Sequence, residues 1–432
     1  RRDELTAMRL RRIPPLAPAE ACLPNLLRAT ATADGDPAPP CRLPADAGPQ
    51  LWRRLLERAE EHRVLERLFS RRARGGWWER CPDSARAVLR HHYLQTALRN
   101  DHLYGELARA VAALRDRGIT PVLLKGAALT ATVLEDPAAR PCSDVDLLVS
   151  PAELDEAAAA LLGCGFRLDE RFRPEAFYRA HHYHLVFRHP QRPWVCLELH
   201  WDLTLPMLDT RLDAAAVRER ALPAQLAGEP VRVPEPGDLL LHLVLHTGMN
   251  GFAFLGQVCD AADVLERQGG AIHAPTLWAR ARAWRLETPL RAVLALLPLC
   301  APETVGSGLR AAAPRGRLEP ALRALLRPEF VLRQRLRDSG AGAQAAAILR
   351  RDKAGARWRC LGRRLRPSAV DLAMEGHEPE SVERPPIQHF LNGLSLASRA
   401  MVFTLLTAAG WEVVRKPGSE PGPAGGAGTH LS

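Results

Sequence analysis

Asp144 and Asp146 stand one residue apart in the run SDVDLLV. In a β-strand the side chains at i and i+2 point to one face, so the two carboxylates converge while Val145 turns into the core. Converging carboxylate oxygens are what a hard divalent cation such as Mg²⁺ or Mn²⁺ requires. Upstream, PVLLKGAALT is an apolar run ending in Lys125–Gly126 and entering a helical pattern. A helix N-terminus after a glycine offers free amides, here those of Ala127 and Ala128, and lets an anion approach the backbone. Lys125 adds a point charge, and it is one of three lysines in a chain that otherwise uses arginine; an ordinary exposed lysine is the other reading. A third carboxylate, Glu198, interrupts the apolar run VCLELHW, where a charge needs a reason, and His200 shares its face. Cation, phosphate cradle and third carboxylate are the requirements of nucleotidyl transfer.

The elements that must hold these residues are legible in outline. Nine prolines break residues 1–50, leaving one short helix near Ala19–Ala29. LWRRLLERAEEHRVLERLF reads as one amphipathic helix with Leu51, Leu55, Ala59 and Val64 on its face. A longer helix is expected from Pro82 through Leu114, stopped by Gly118, with Val88, Leu94, Leu98, Leu103, Leu107, Val111 and Leu114 inward. Then the period changes: a strand at ITPVLLKG, a helix at AALTATVL, a turn at EDPAARP, a strand at VDLLVS, a helix from Pro151 to Gly165, and a hairpin of 182–188 with 194–201. After Pro236 the pattern is helical. The expected fold is α/β (α+β) with a small mixed sheet, flanked by N-terminal helices and a C-terminal helical domain. Its boundaries are a Pro-rich irregular segment over 1–50, a helical region over 51–117, a catalytic core over 118–235, a helical domain over 236–375, a linker and terminal helix over 376–415, and a disordered tail over 416–432.

Composition narrows the class without choosing the acceptor. The net charge of +10 over 432 residues is almost wholly arginine. Codon bias of a GC-rich genome accounts for that as well as a nucleic-acid partner does, so a nucleic acid is possible but not identified. Nine cysteines, scattered singly with no CxxC, argue against a zinc ribbon or disulfide framework and for a reducing compartment. The longest apolar runs, Ala292–Ala301 and Ala400–Gly410, are too short to span a bilayer. The expectation is a cytoplasmic protein without a membrane partner.

Several titratable residues stay open. The spacing of His181, His182, His184 and His200 yields no closed tetrahedral zinc set; His184 and His200 are expected as cross-strand neighbours lining the cleft. His242 and His246, at i and i+4, are either ligands or a packed polar seam against the core. Asp260 and Asp263 either contact base or acceptor or cap a helix. Arg140 serves a phosphate or pairs with Asp136 or Glu135.

Taken in order, Lys125–Gly126, Asp136–Pro137, Arg140, Ser143–Asp144, Asp146, Glu198–His200, His242, His246, Asp260 and Ala262 resemble the pattern of the bacterial family of uncharacterised nucleotidyltransferases, within the DNA polymerase β-like superfamily. The resemblance runs from about Trp52 to Ala301. It implies metal carboxylates at Asp144, Asp146 and Glu198, and nucleotide-phosphate contacts at Lys125, Gly126, Arg140 and Ser143. It further implies Mg²⁺ or Mn²⁺ as cofactor and a nucleoside triphosphate as co-substrate. Many superfamily members carry Gly-Ser or Gly-Gly about ten residues before the aspartates; here the pair is Lys-Gly and the gap is longer, nearer to toxin-type members. The acceptor hydroxyl is expected on a small molecule or biosynthetic intermediate. A toxin-type enzyme acting on tRNA or protein, and a non-catalytic binding protein of a biosynthetic cluster, are the alternatives.

Overall fold

Residues 8–12, 15–31, 43–44, 47–171, 174–205, 209–314, 326–333 and 411–415 are described in the computed structural model. Alternation and turn chemistry build its main sheet. β2 (Val122–Leu123), β3 (Val145–Leu148), β5 (His184–His189) and β6 (Arg192–His200) occupy the runs expected to be strands, and β5–β6 is the expected hairpin. Three strands were not expected: β4 (Arg167–Leu168), β7 (Leu222–Leu226) and β8 (Glu229–Val233). The last two form a hairpin closed by Ala227 and Gly228, with φ of 52° and 83°. Positive φ at both central residues is the twist-matched two-residue turn, and Ala-Gly is a weaker signal for it than Asn-Gly. The order is β4-β5-β6-β3-β2-β8-β7, with β3/β6 and β2/β8 parallel and the other pairs antiparallel. All four residues of β3 are buried, as suits a strand covered on both faces.

The N-terminal helices are α1 (Pro18–Thr30), α2 (Pro49–Glu61), α3 (Leu65–Ser70) and α4 (Asp83–Arg115). The single helix expected over 51–69 is two, because the chain turns at Arg63 (φ 59°), where buried His62 bonds the Leu332 carbonyl at 3.1 Å. α4 has the expected ends, with Pro82 before it and Gly118 (φ 74°) after it. Its expected inner face is only half right. Val88, Leu94 and Leu98 are exposed, at 40%, 47% and 64%, while Ala85, Leu89, Thr96, Asn100, Leu103, Leu107, Val111 and Leu114 are buried. At 100° per residue Leu94 and Leu98 fall opposite Leu103, and the polar Thr96 and Asn100 complete the inner stripe.

Between β2 and β3 lies α5 (Lys125–Thr132), and after β3 comes α6 (Leu154–Gly163). Short helices α7 (Glu175–His181) and α8 (Ala214–Arg220) precede the hairpins. Beyond the sheet the chain is helical as expected: α9 (Pro236–Met249), α10 (Leu255–Gln268), α11 (Ala274–Ala283), α12 (Glu287–Leu296), α13 (Ser307–Ala311) and α14 (Pro328–Val331). One hydrophobic core runs through these layers, from Leu23 and Trp52 through Leu147 and Leu199 to Leu290. Trp411–Arg415, expected at the end of a terminal helix, is instead strand β9, antiparallel to β1 (Met8–Arg12). Val413–Val414 and Trp411 favour strand over helix, and the pairing partner supplies the backbone hydrogen bonds. The helical expectation for most of 310–366 and for 387–410, and the tail at 416–432, lie outside the described residues.

Candidate active site

The sheet register assembles the site. β3 and β6 run parallel with Asp146 opposite Glu198 and Leu148 opposite His200; β5 places His184 opposite His200. Register partners on neighbouring strands share a face, so Asp146, Glu198, His200 and His184 form one polar cluster and Leu147, Leu197 and Leu199 point to the other side. Asp144 lies two residues before Asp146, half-buried, and accepts a hydrogen bond from the exposed Ser143 hydroxyl at 2.8 Å. The oxygens of Asp144, Asp146 and Glu198 come within 4.8 Å of one another. Three hard donors so close suit a divalent cation, and Asp144, Asp146 and Glu198 fit the ion that the sequence pattern implies.

The counter-charges stand beside Asp146. Lys125 Nζ donates to its Oδ1 at 2.6 Å, and His200 Nε2 lies 3.0 Å from the same oxygen and 3.2 Å from Glu198 Oε2. His200 Nδ1 meets the Asp202 carbonyl at 3.3 Å. Burial opposes the charge of Asp146, but Lys125 and His200 outweigh it and hold the carboxyl well below the usual range. Burial dominates at Glu198 and pushes its carboxyl up, with Asp146 and Asp144 adding to the effect. For Lys125 and His200 burial works against the charged form, and the carboxylates overcome it, so both are held up. The two neighbouring carboxylates therefore differ: Asp146 is the firm anion and Glu198 the readier proton acceptor.

Lys125 is positioned by strain. It opens α5 with φ 44°, a left-handed conformation that side chains rarely adopt, and Leu124 before it donates to the Asp146 carbonyl at 3.1 Å. Gly126 is required for a reason the sequence did not disclose. A Cβ there would lie 2.2 Å from Arg140 Nη1 and 3.4 Å from Cys142 Sγ, so the missing side chain makes room for the guanidinium. The amide cradle is smaller than expected: Ala127 and Ala128 are buried and the Ala128 amide donates to the Leu124 carbonyl at 3.3 Å.

Arg140 pairs with neither Asp136 nor Glu135. Its Nε donates to Asp260 at 2.9 Å; Asp260 also accepts from Arg67 at 2.7 Å, and Asp263 bridges Arg67 and Arg71. Asp260 and Asp263 thus tie α10 to α3 and to the loop that carries Arg140. Asp136 instead accepts from Ser70, from Tyr93 at 3.0 Å and from the Ala138 amide at 2.9 Å. Buried His242 and half-buried His246 lie on the face of α9 that meets α5, both held low by desolvation with the Lys125 charge adding to it; His246 Nε2 accepts from Asn250 at 3.3 Å. Asn100 was missed. Its amide donates to the Pro137 and Arg140 carbonyls, each at 2.8 Å, and its oxygen accepts from the Cys142 amide at 3.2 Å, fixing the loop that leads into Asp144. No local signal marked it, since its partners lie 37 to 42 residues further along the chain.

Residues 48–302 match the sequence model of a family described as "Uncharacterised nucleotidyltransferase", and that span is more than half of the chain. The chain belongs to this nucleotidyltransferase family. The mixed sheet with its surrounding helices is the core expected of such an enzyme. Solved structures resemble it remotely. A solution structure of the antibiotic-resistance factor ANT(2″)-Ia is 13% identical, covering 43% of this chain and 92% of that chain with a TM-score of 0.32. A crystal structure of ANT(2″)-Ia with adenylyl-2″-tobramycin is 14% identical, covering 42% and 96% with a TM-score of 0.31. An antigenic nucleotidyltransferase-like protein from Paracoccidioides brasiliensis is 18% identical, covering 49% and 93% with a TM-score of 0.31. No curated protein matches the chain. No helix among the described residues of this nucleotidyltransferase is long and apolar enough to cross a membrane, and the seven cysteines among them are free thiols.

Proposed function

We propose that this nucleotidyltransferase transfers the nucleoside monophosphate of a nucleoside triphosphate to a hydroxyl of a small-molecule acceptor, with Asp144, Asp146 and Glu198 holding Mg²⁺ or Mn²⁺. The observation that carries this reading is the register that sets Asp146 beside Glu198 on parallel strands, with Asp144 completing the oxygen set. When bound, the divalent ion screens the triphosphate charge and stabilises charge developing at the α-phosphate. The chain's own groups supply the rest. Asp146, held ionised by Lys125 and His200, is a fixed anion whose position costs no reorganisation during the reaction. Lys125 and Arg140 flank the Gly126 turn and serve the phosphates; Ser143 holds Asp144 in place. Glu198, the third carboxylate of the set, takes the proton of the attacking hydroxyl. The new bond joins that oxygen to the α-phosphorus; the bond to the bridging oxygen breaks, and pyrophosphate leaves with its electron pair.

The test is incubation of the full chain with α-³²P-labelled nucleoside triphosphates, Mg²⁺ or Mn²⁺, and a cell extract, followed by fractionation. Label in the small-molecule fraction, absent with Asp144→Ala/Asp146→Ala, is expected. Label on tRNA or protein would replace the acceptor class, and no label above that of the double variant would overturn the enzyme reading.

A further inference from the structure

The same sheet face carries a second, chemically different donor set. His184, Glu198 and His200 are all buried and offer ligand atoms within 4.8 Å of one another. His200 Nε2 lies 3.2 Å from Glu198 Oε2, and His184 Nδ1 lies 3.8 Å from that same oxygen. In a tetrahedral zinc site with bonds of about 2.0–2.1 Å, neighbouring ligand atoms are about 3.3 Å apart, so the observed separations need small adjustments only. His184 Nδ1 is buried and makes no hydrogen bond, although the residue is only 7% exposed. A buried imidazole nitrogen that stands 3.8 Å from a carboxylate oxygen and makes no hydrogen bond lacks a partner that a metal ion would supply. The His182 ring packs 4.3 Å from that of His184, and its Nδ1 is also without a partner.

We propose that His184, Glu198 and His200 form a site for a borderline-soft divalent cation of the zinc class, with an open fourth position, overlapping the all-oxygen set of Asp144, Asp146 and Glu198 at Glu198. The ion would take the place of the contact that His200 Nε2 makes with Asp146 at 3.0 Å. Two imidazoles and one carboxylate favour Zn²⁺ or Co²⁺ over Mg²⁺, which prefers oxygen and keeps its waters. The shared Glu198 makes the two sets competitors, so zinc displaces Mg²⁺ from the carboxylates rather than adding to it. The inference concerns metal choice and does not depend on the transfer reaction.

Co²⁺ titration of the metal-stripped full chain, followed by visible absorption, tests it. An intense spectrum of a four-coordinate centre is expected, persisting in excess Mg²⁺ and in Asp144→Asn. In His184→Gln, affinity should fall on the order of a hundredfold while far-UV circular dichroism is unchanged. Because a buried substitution can unfold a chain, zinc-edge X-ray absorption on the zinc-loaded wild type provides a second reading, expected to contain two imidazole ligands. A weak octahedral cobalt spectrum lost in Asp144→Asn, or an oxygen-only zinc shell, would overturn the proposal and leave the transferase reading untouched.

Discussion

At the scale of single residues, Lys125 separates charge from backbone. Its ammonium faces Asp146 at 2.6 Å while its φ is 44°. Lys125→Ala and Lys125→Gly both delete the charge and should lower transfer at least tenfold, about 1.4 kcal/mol in the barrier. Only glycine relaxes the backbone, so Lys125→Gly should be more stable than Lys125→Ala by about 1 kcal/mol in urea unfolding. Equal stabilities would remove strain from the account. Gly126 poses a sharper test, since its open side is filled by Arg140. Gly126→Ala should push the guanidinium off Asp260 and cost about 1–3 kcal/mol. Because the damage runs through Arg140, adding Arg140→Ala should cost far less in the Gly126→Ala background than in wild type. Additive losses would mean that the methyl does its harm elsewhere.

At the scale of elements, what the sequence disclosed depended on whether a signal was local. The strands at Val145–Leu148 and Arg192–His200 carry apolar runs with a charge where none belongs, and the carboxylates were visible for that reason. The Ala227–Gly228 hairpin was not visible, because Leu222–Val233 is interrupted by two prolines and has no strong turn pair. The inner face of α4 was misread because the leucines at 94 and 98 drew attention from Thr96 and Asn100, whose burial is justified only by groups far along the chain. Asn100 shows the consequence. Asn100→Leu removes three hydrogen bonds from the 137–142 loop and leaves their backbone partners without this side chain, the buried Cys142 amide among them. The expected loss is about 2–3 kcal/mol in urea unfolding, accompanied by lower transfer as the approach to Asp144 loosens. Asn100→Asp, which keeps the shape but cannot donate to two carbonyls, should also destabilise; if it matches wild type, the clamp is not what holds the loop. The ion-pair lattice of Arg67, Arg140, Asp260 and Asp263 was equally out of reach, since its members are up to 196 residues apart.

For the molecule as a whole, burial of histidine sets the response to acid. Burial is the leading cause that lowers His62 and His182 to about 4, His242 to about 3, and His184 and His246 well below the usual value. In the unfolded chain each titrates near 6.5, so below that pH the unfolded state binds more protons than the folded one. These five histidines therefore cost nothing above pH 6.5 and draw stability down as the pH falls toward about 4. His200 is raised and acts oppositely: its contribution is full below 6.5 and is lost as pH rises through its folded value. Among the histidines five oppose one, which gives the sign of their joint contribution. The raised carboxyls of Glu198, Asp202, Asp238 and Glu266 act with His200, so the histidine part is read from the difference between wild type and a histidine variant; His242 alone contributes about 2 kcal/mol at pH 5. His242→Leu, which replaces an imidazole whose Nδ1 has no hydrogen-bond partner among the described residues, should flatten the profile by about that amount. A slope unchanged in His242→Leu would mean that this histidine takes up its proton without unfolding, as it could only if the seam between α9 and α5 opened to water.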